Sequence, residues 1–395
     1  MKKTTVLVSG AGVAGPALAF WLTRYGFTTT VVERAPALRS GGHAIDVRGA
    51  AREVAERMGV LTEIKQARVA WRGMSYIDDQ GRRRASLPAE LFGMRGDELA
   101  QIEIQRGDLV RIFHAASQEG VEYLFDDSIT ELSQDDEGVK VTFANGSPRV
   151  FDLVVGADGA HSRVRALAFG DESKFTHEYG SYTAFFSIPQ QFDLDGWELF
   201  YNIPGRRMAA VRPGLQGINT KVLLSFAASG LRYDGRDIEQ QKKIVAREFA
   251  GVGWAVPKLL DAMESAQDFS FGATAKVTLD SWSRGRTVLL GDSAWASFAG
   301  HGTSFAVIGA YLLAGELKAA DGDHRIAFAR YEDQLRHYVE LGQQGPPGGE
   351  KMFLPKSKWG IWLRNQSIRA LPHMPWKGLI AKGSDEATAV PLTDY

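Results

Sequence analysis

One stretch constrains the fold more than any other: TTVLVSGAGVAGPALAFWLTRYGFTTTVVERA, residues 4–35. Val6, Leu7 and Val8 make a short apolar run that reads as a buried strand. Gly10, Gly12 and Gly15 follow at G-x-G-x-x-G spacing, then Leu18 and Leu22 give the apolar face of a helix. Val31 and Val32 open a second strand that ends on Glu33. The first glycine permits a tight turn, the second lets backbone approach a diphosphate, and the third lets helix pack on strand. The N–H groups around Val13 and Ala14, at the helix start, then face the phosphates. Glu33 stands where a carboxylate can accept the hydroxyls of an adenosine ribose. The pattern does not separate NAD from FAD. Arg34 beside Glu33 is also compatible with a 2′-phosphate, which keeps a plain NADP-dependent dehydrogenase open.

Three later stretches are punctuated in the same way. IEIQRGDLVRIF places Arg106 just before a helix with Leu109 and Ile112 on one face. FDLVVGADGAHSRVRALAF is a buried strand followed by Gly156-Ala157-Asp158-Gly159, then Ser162 and Arg165. TVLLGDSAWASFAGHGTSFAVIGAYLLAGEL ends a strand on Gly291 and Asp292, and opens an apolar helix at Gly300, His301 and Gly302. Each has a bland local reading. Asp292 can cap the downstream helix, and Asp158 with Ser162 can make a turn and helix start. Arg165 reads equally as a solvated helix residue, and His301 as a pocket-lining residue or a catalytic base.

Taken together, in this order and spacing, these motifs resemble the group A flavin monooxygenases, the family of para-hydroxybenzoate hydroxylase. Gly41-Gly42-His43-Ala44-Ile45-Asp46 and the compact length resemble the tetracycline-inactivating members. The resemblance implies an α/β fold with a Rossmann-like FAD-binding domain of the glutathione-reductase type. An antiparallel substrate sheet would be inserted in it, with a helical C-terminal segment. It implies non-covalent FAD, a transient NADPH or NADH, O2, and hydroxylation of an aromatic or polyketide-like molecule through a flavin C4a-hydroperoxide. Glu33 would bind the adenosine ribose, Arg106 the diphosphate or ribityl region, and Asp292 the ribityl chain or diphosphate. Asp46 would lie near the flavin. Asp158 belongs to a motif shared by FAD and NAD(P)H binding, and Arg39 stands near a basic NADPH contact. Gly300, Gly302, Thr303 and Ser304 would let the ring lie against backbone at a helix N-terminus. Three departures stand out: Trp295 replaces the family's usual histidine, no proline occurs between Asp292 and Gly300, and the loop SAWASFA is short. A flavoprotein that binds FAD and ligand without turnover is the second reading.

The resemblance divides the chain into a discontinuous cofactor domain (1–75, 98–175, 268–342), a substrate domain (76–97, 176–267) and a C-terminal segment (343–395). YTAFFSIP, WELFYNIPG, RMAAVRPG and KVLLSFAAS read as one antiparallel sheet over about residues 180 to 230. Phe186, Phe200, Met208, Arg212 and Phe226 are its candidate substrate contacts, although alternation does not say which face meets the cofactor. DIEQQKKIVAREFAGVGWAVPKLLDAM reads as a helical stretch, and GQQGPPGGEK, from Gly342, as a flexible break. The basic tail carries Trp359, Trp362 and Trp376, expected to pack across the two domains rather than on a membrane surface. A net charge of −1 gives no general attraction for nucleic acid. No cysteine occurs, which excludes disulfides, thiolate chemistry and a cysteinyl-flavin link and fits a reducing, cytoplasmic setting.

Overall fold

The computed structural model describes residues 4–38, 44–69, 71–92, 101–214, 218–297, 300–344, 350–374, 386 and 388–395. Arg39, the Gly41-Gly42-His43 stretch and Trp376 lie outside the described residues. The expected α/β architecture is present. A six-stranded sheet runs in the order Ser283–Arg284, Thr287–Leu289, Leu153–Gly156, Thr5–Ser9, Thr28–Glu33, Val121–Phe125. All its pairs are parallel except the short edge pair. Val6, Leu7, Val8, Val154 and Val155 have no exposed surface, as parallel strands covered on both faces require.

A ribbon of two antiparallel strands, Ala44–Arg48 and Gln101–Gln105, stands beside this domain. Its register gives it two unlike faces. Ile45, Val47, Ile102 and Ile104 pack into the cofactor-domain core, while Asp46, Arg48, Glu103 and Gln105 share the opposite face.

The second sheet has seven strands, in the order Ser270–Val277, Thr176–Pro189, Asn219–Ala227, Arg207–Pro213, Trp197–Ile203, Gly73–Ile77, Arg83–Pro88. Ser270–Val277, beyond the boundary expected at residue 267, pairs with Thr176–Pro189 along its length. The sheet is therefore wider than the four strands legible in sequence. One of its faces carries Tyr182, Ala184, Phe186, Leu224 and Phe226 under two helices, Ile238–Glu248 and Val256–Ser265. Those helices were expected as one stretch. The chain breaks between them, with Gly251 at φ +69° and Trp254 at φ +57°.

The C-terminal helix Lys358–Ala370 lies on the other face, and its tryptophans do not behave as expected. Trp359 and Trp362 are 67% and 55% exposed, while Arg364, Asn365 and Ile368 point inward. Arg364 explains the rotation. Its guanidinium sits 3.8 Å over the Tyr76 ring and donates to Asn202 Oδ1 at 2.8 Å. Those bonds fix which side of the helix meets the sheet, and the tryptophans lie on the opposite side.

Candidate active site

The glycine turns assemble the site. Gly10 has φ +106°, and a Cβ there would lie 2.6 Å from Ala157 O, so the first turn backs directly onto the Ala157-Asp158 motif. A Cβ on Gly15 would lie 1.9 Å from Gly10 O, which is why only glycine lets the Ala14–Arg24 helix approach the strand. Gly291, at φ +72°, would place a Cβ 3.3 Å from that of Ala14. Two turns that lie far apart in sequence therefore touch at the C-terminal ends of parallel strands on either side of Leu153–Gly156, where open α/β sheets bind ligands.

Arg106 and Asp292 close the cleft between those turns. A Cβ on Gly12 would lie 3.3 Å from Arg106 Nη2, and one on Gly302 would lie 3.1 Å from Asp292 Oδ1. Both charged side chains stay open to solvent on the cleft side. Crowding by protein on its other sides pushes the Asp292 carboxyl above its ordinary range, against the pull of Arg106. Glu33 accepts from Ala11 N at 2.8 Å and Ala35 N at 2.9 Å, so it braces the turn with one lone pair of each oxygen. Arg34 beside it is exposed. Ser304 Oγ donates to Asp46 O at 3.1 Å and accepts from Arg48 N at 3.2 Å. That pair of bonds docks the ribbon onto the Gly302–Ala319 helix next to Thr303. Asp46 is ion-paired with Arg48.

Asp158 is committed locally. Its carboxylate accepts from Ser162 Oγ at 2.5 Å, Arg163 N at 2.8 Å and Val164 N at 3.1 Å, capping the helix Arg163–Ala168. Arg165 is not a solvated residue. It is 0% exposed and donates to Ser293 O at 2.9 Å and Ala160 O at 2.6 Å, tying this motif to the turn that carries Asp292. Trp295, at the position of the missing histidine, points away from the cleft and packs on Trp282 at 4.4 Å. His301 caps no helix with its side chain. Burial, reinforced by Arg48, holds its pKa down to about 4, and its Nδ1 has no hydrogen-bond partner.

The substrate-side candidates divide by face. Phe186 and Phe226 are core residues under the two helices, on the side away from the ribbon, so they do not line the cleft. Phe200 and Met208 lie on the near face but are packed with Leu354 and Ile368 beneath the C-terminal segment. Arg212 is the one that reaches the cofactor domain. It pairs with Glu103 of the ribbon at 2.9 Å and with Glu198 of its own sheet at 3.2 Å. Burial alone would lower the Arg212 pKa, and the two carboxylates raise it instead. Burial outweighs Arg212 at Glu103, whose pKa is raised. The near face also carries Thr183, Phe185 and Leu223, all half-buried, which sequence reading did not single out. Their signal was present as the alternate register to Tyr182, Ala184 and Phe186.

Comparison with known proteins agrees with this geometry. The family model described as FAD binding domain matches residues 3–325. An uncharacterised protein of Mycobacterium tuberculosis is 43% identical, over 87% of this chain and 94% of its own length. A flavin-dependent monooxygenase from an unknown prokaryotic organism is 36% identical, over 90% and 91%. Among solved structures, tetracycline destructase Tet(51) superposes with a TM-score of 0.84 at 31% identity, covering 100% of both chains. A match through residue 325 takes in every glycine and acid motif above, which a dehydrogenase built on the N-terminal unit alone does not explain.

Proposed function

This chain belongs to the FAD binding domain family and is a flavin-dependent monooxygenase, and from that premise we propose which of its residues hold the cofactor and what it acts on. One observation carries the assignment: Gly12, Arg106 and the Asp292–Gly302 pair converge from three distant segments on one cleft. The glycines leave a cradle that any Cβ would fill, and the donor set suits a dinucleotide. Backbone N–H groups of the Gly10–Gly15 turn and the Arg106 guanidinium meet the diphosphate. Asp292 accepts from ribityl hydroxyls, and the free lone pairs of Glu33 accept from the adenosine ribose. Gly300, Gly302, Thr303 and Ser304 present a helix N-terminus whose partial positive charge favours anionic character in the ring bound against it.

When bound, FAD supplies the redox and oxygen-activating chemistry, and the protein supplies position, electrostatics and exclusion of water. The described residues contain no second G-x-G-x-x-G, which fits NADPH or NADH visiting as a transient reductant. Asp158 acts here through the Arg163–Ala168 helix rather than by direct contact. Thr183, Phe185 and Leu223 form the wall opposite the cofactor, with Arg212 between that wall and the ribbon. Phe185 and Leu223 give that wall apolar surface and the Thr183–Ser225 hydroxyl pair gives it polar groups, which fits a flat, electron-rich molecule carrying polar substituents. We assign an aromatic or polyketide-like substrate, as the likeness to tetracycline destructases supports. No described helix is long and apolar enough to cross a membrane, and we place the enzyme in the cytoplasm.

The test has two parts. Asp292→Ala lowers FAD affinity by about tenfold or more, because charge-assisted bonds to the ribityl chain are lost. Fluorescence titration of the apoprotein measures this, and unchanged affinity removes Asp292 from the site. A panel of aromatic and polycyclic compounds is then screened for acceleration of NAD(P)H oxidation, and products are weighed for one added oxygen. Binding of FAD with no such compound found would favour a ligand-binding flavoprotein.

A further inference from the structure

The loop between Asp292 and Gly302 has no proline to restrict it and contains one glycine, Gly300, at φ +85°. Something else must hold it if Asp292 and Gly302 are to stay in register with Arg106. We infer that Gly342 and Gln343, at the end of the His324–Gln343 helix, are the positioning pair that fixes this loop against the cofactor. Sequence reading places both residues at the start of a flexible break. In the structure both are buried in the helix.

Gln343 Nε2 donates to Trp295 O at 3.0 Å and Val277 O at 3.0 Å, with Ala296 O at 3.4 Å. One amide therefore grips the outgoing side of the loop and the strand beneath it. Gly342 seats the returning side. A Cβ there would lie 2.5 Å from the Phe305 ring and 3.5 Å from His301 Cβ. Arg165 holds Ser293 O from the opposite direction. A single helix end thus contacts the chain before and after the segment that would meet the flavin, doing by contact what a proline would do by fixed φ. Trp295 fits this arrangement: its side chain is spent on the core, which leaves its carbonyl turned to Gln343.

The inference rests on the FAD site proposed above, and the experiment separates the two. FAD and ADP affinities are measured on apoprotein of the wild type, Gln343→Leu, Gln343→Glu and Gly342→Ala. ADP engages the Gly10–Gly15 turn and Glu33 but not the flavin-facing loop. Gln343→Leu raises the FAD Kd about tenfold and leaves the ADP Kd within about twofold, as for loss of one or two buried hydrogen bonds acting through the loop. Gln343→Glu, which faces carbonyls with a carboxylate, loses more. Gly342→Ala shifts the same FAD-to-ADP ratio by displacing Phe305, and it decides the matter alone should Gln343→Leu not fold. Equal loss of both ligands, which general destabilisation would give, overturns the inference, as does an unchanged FAD Kd. A wild type that binds neither ligand overturns the site itself.

Discussion

His301 sits between two glycines at the mouth of the cleft, where a catalytic base is the tempting reading. The electrostatics favour another. An imidazole whose pKa is held down to about 4 by burial and by Arg48 is neutral through the physiological range. In the unfolded chain it titrates near the ordinary value of 6.5. Between those values the unfolded state binds the extra proton, so stability falls as pH drops from 6.5 toward 4 and is fully present above 6.5. At pH 5 the difference amounts to about 2 kcal/mol. His301→Gln removes this contribution. Urea midpoints at pH 7.5 and 5 are expected to fall less in the variant than in the wild type, and parallel losses would show that the imidazole is not buried. Residue types alone hid two other roles. A carboxylate and a serine serve equally at a ligand or a helix cap, and for Asp158 and Ser162 the cap is what the structure shows. Arg165 lies in a six-residue helix, too short for periodicity to reveal that one side is sealed under the Asp292 turn.

At the scale of elements, the alternation of the substrate sheet was legible but its orientation was not. Which face meets the cofactor depends on where the Ile238–Glu248 and Val256–Ser265 helices land, and no strand records that. The clue was Arg212. A guanidinium in an apolar strand needs carboxylates, and here they come from both sides of the domain boundary, Glu103 and Glu198. Arg212→Met would leave two enclosed carboxylates without their ion-pair partner, with Arg48 the lesser counter-charge remaining at Glu103. Removing one partner of such a buried set costs about 3–5 kcal/mol. The deficit is greatest near neutral pH and shrinks as the solution is acidified. Glu103 already has a raised pKa, and without Arg212 it rises further, so protonation relieves the strain first there. Denaturant midpoints at pH 7.5 and 5.5 give the check. A loss of equal size at both pH values would mean that the side chain contributes packing alone. The C-terminal tryptophans follow the same rule: Arg364, with Asn202 and Tyr76 as partners, decides the helix face, and aromatic content does not.

For the whole molecule, the feature least visible in sequence is the return of residues 388–395 to the cofactor domain. These residues have no periodicity, and their anchors lie scattered along the chain. Thr388 covers Gly49, just past the ribbon, where a Cβ would lie 2.5 Å from its backbone oxygen. Thr393 O accepts from Tyr311 Oη at 2.6 Å, and Asp394 pairs with Arg57 at 2.8 Å. Tyr395 Oη donates to Glu316 Oε1 at 2.6 Å, a carboxylate that also takes Gln334. The strap therefore ties the Ala50–Arg57 helix to the Gly302–Ala319 helix, and these two carry the ribbon and the Gly302 turn at their starts. Gly315 is the test position, because two effects oppose there. In a helix interior Gly→Ala gains about 1 kcal/mol from propensity. A Cβ on Gly315 would lie 2.1 Å from the Tyr395 ring, so the ring must leave, and Glu316 loses a donor in a buried setting. Losing that contact and uncovering the ring cost about 2–3 kcal/mol, which exceeds the gain. Gly315→Ala is therefore expected to melt lower than the wild type and to release the tail to limited proteolysis. In a Tyr395→Ala background the same substitution has nothing to displace, and it should raise the melting temperature. A stabilising Gly315→Ala in both backgrounds would show that the strap is not seated on this helix.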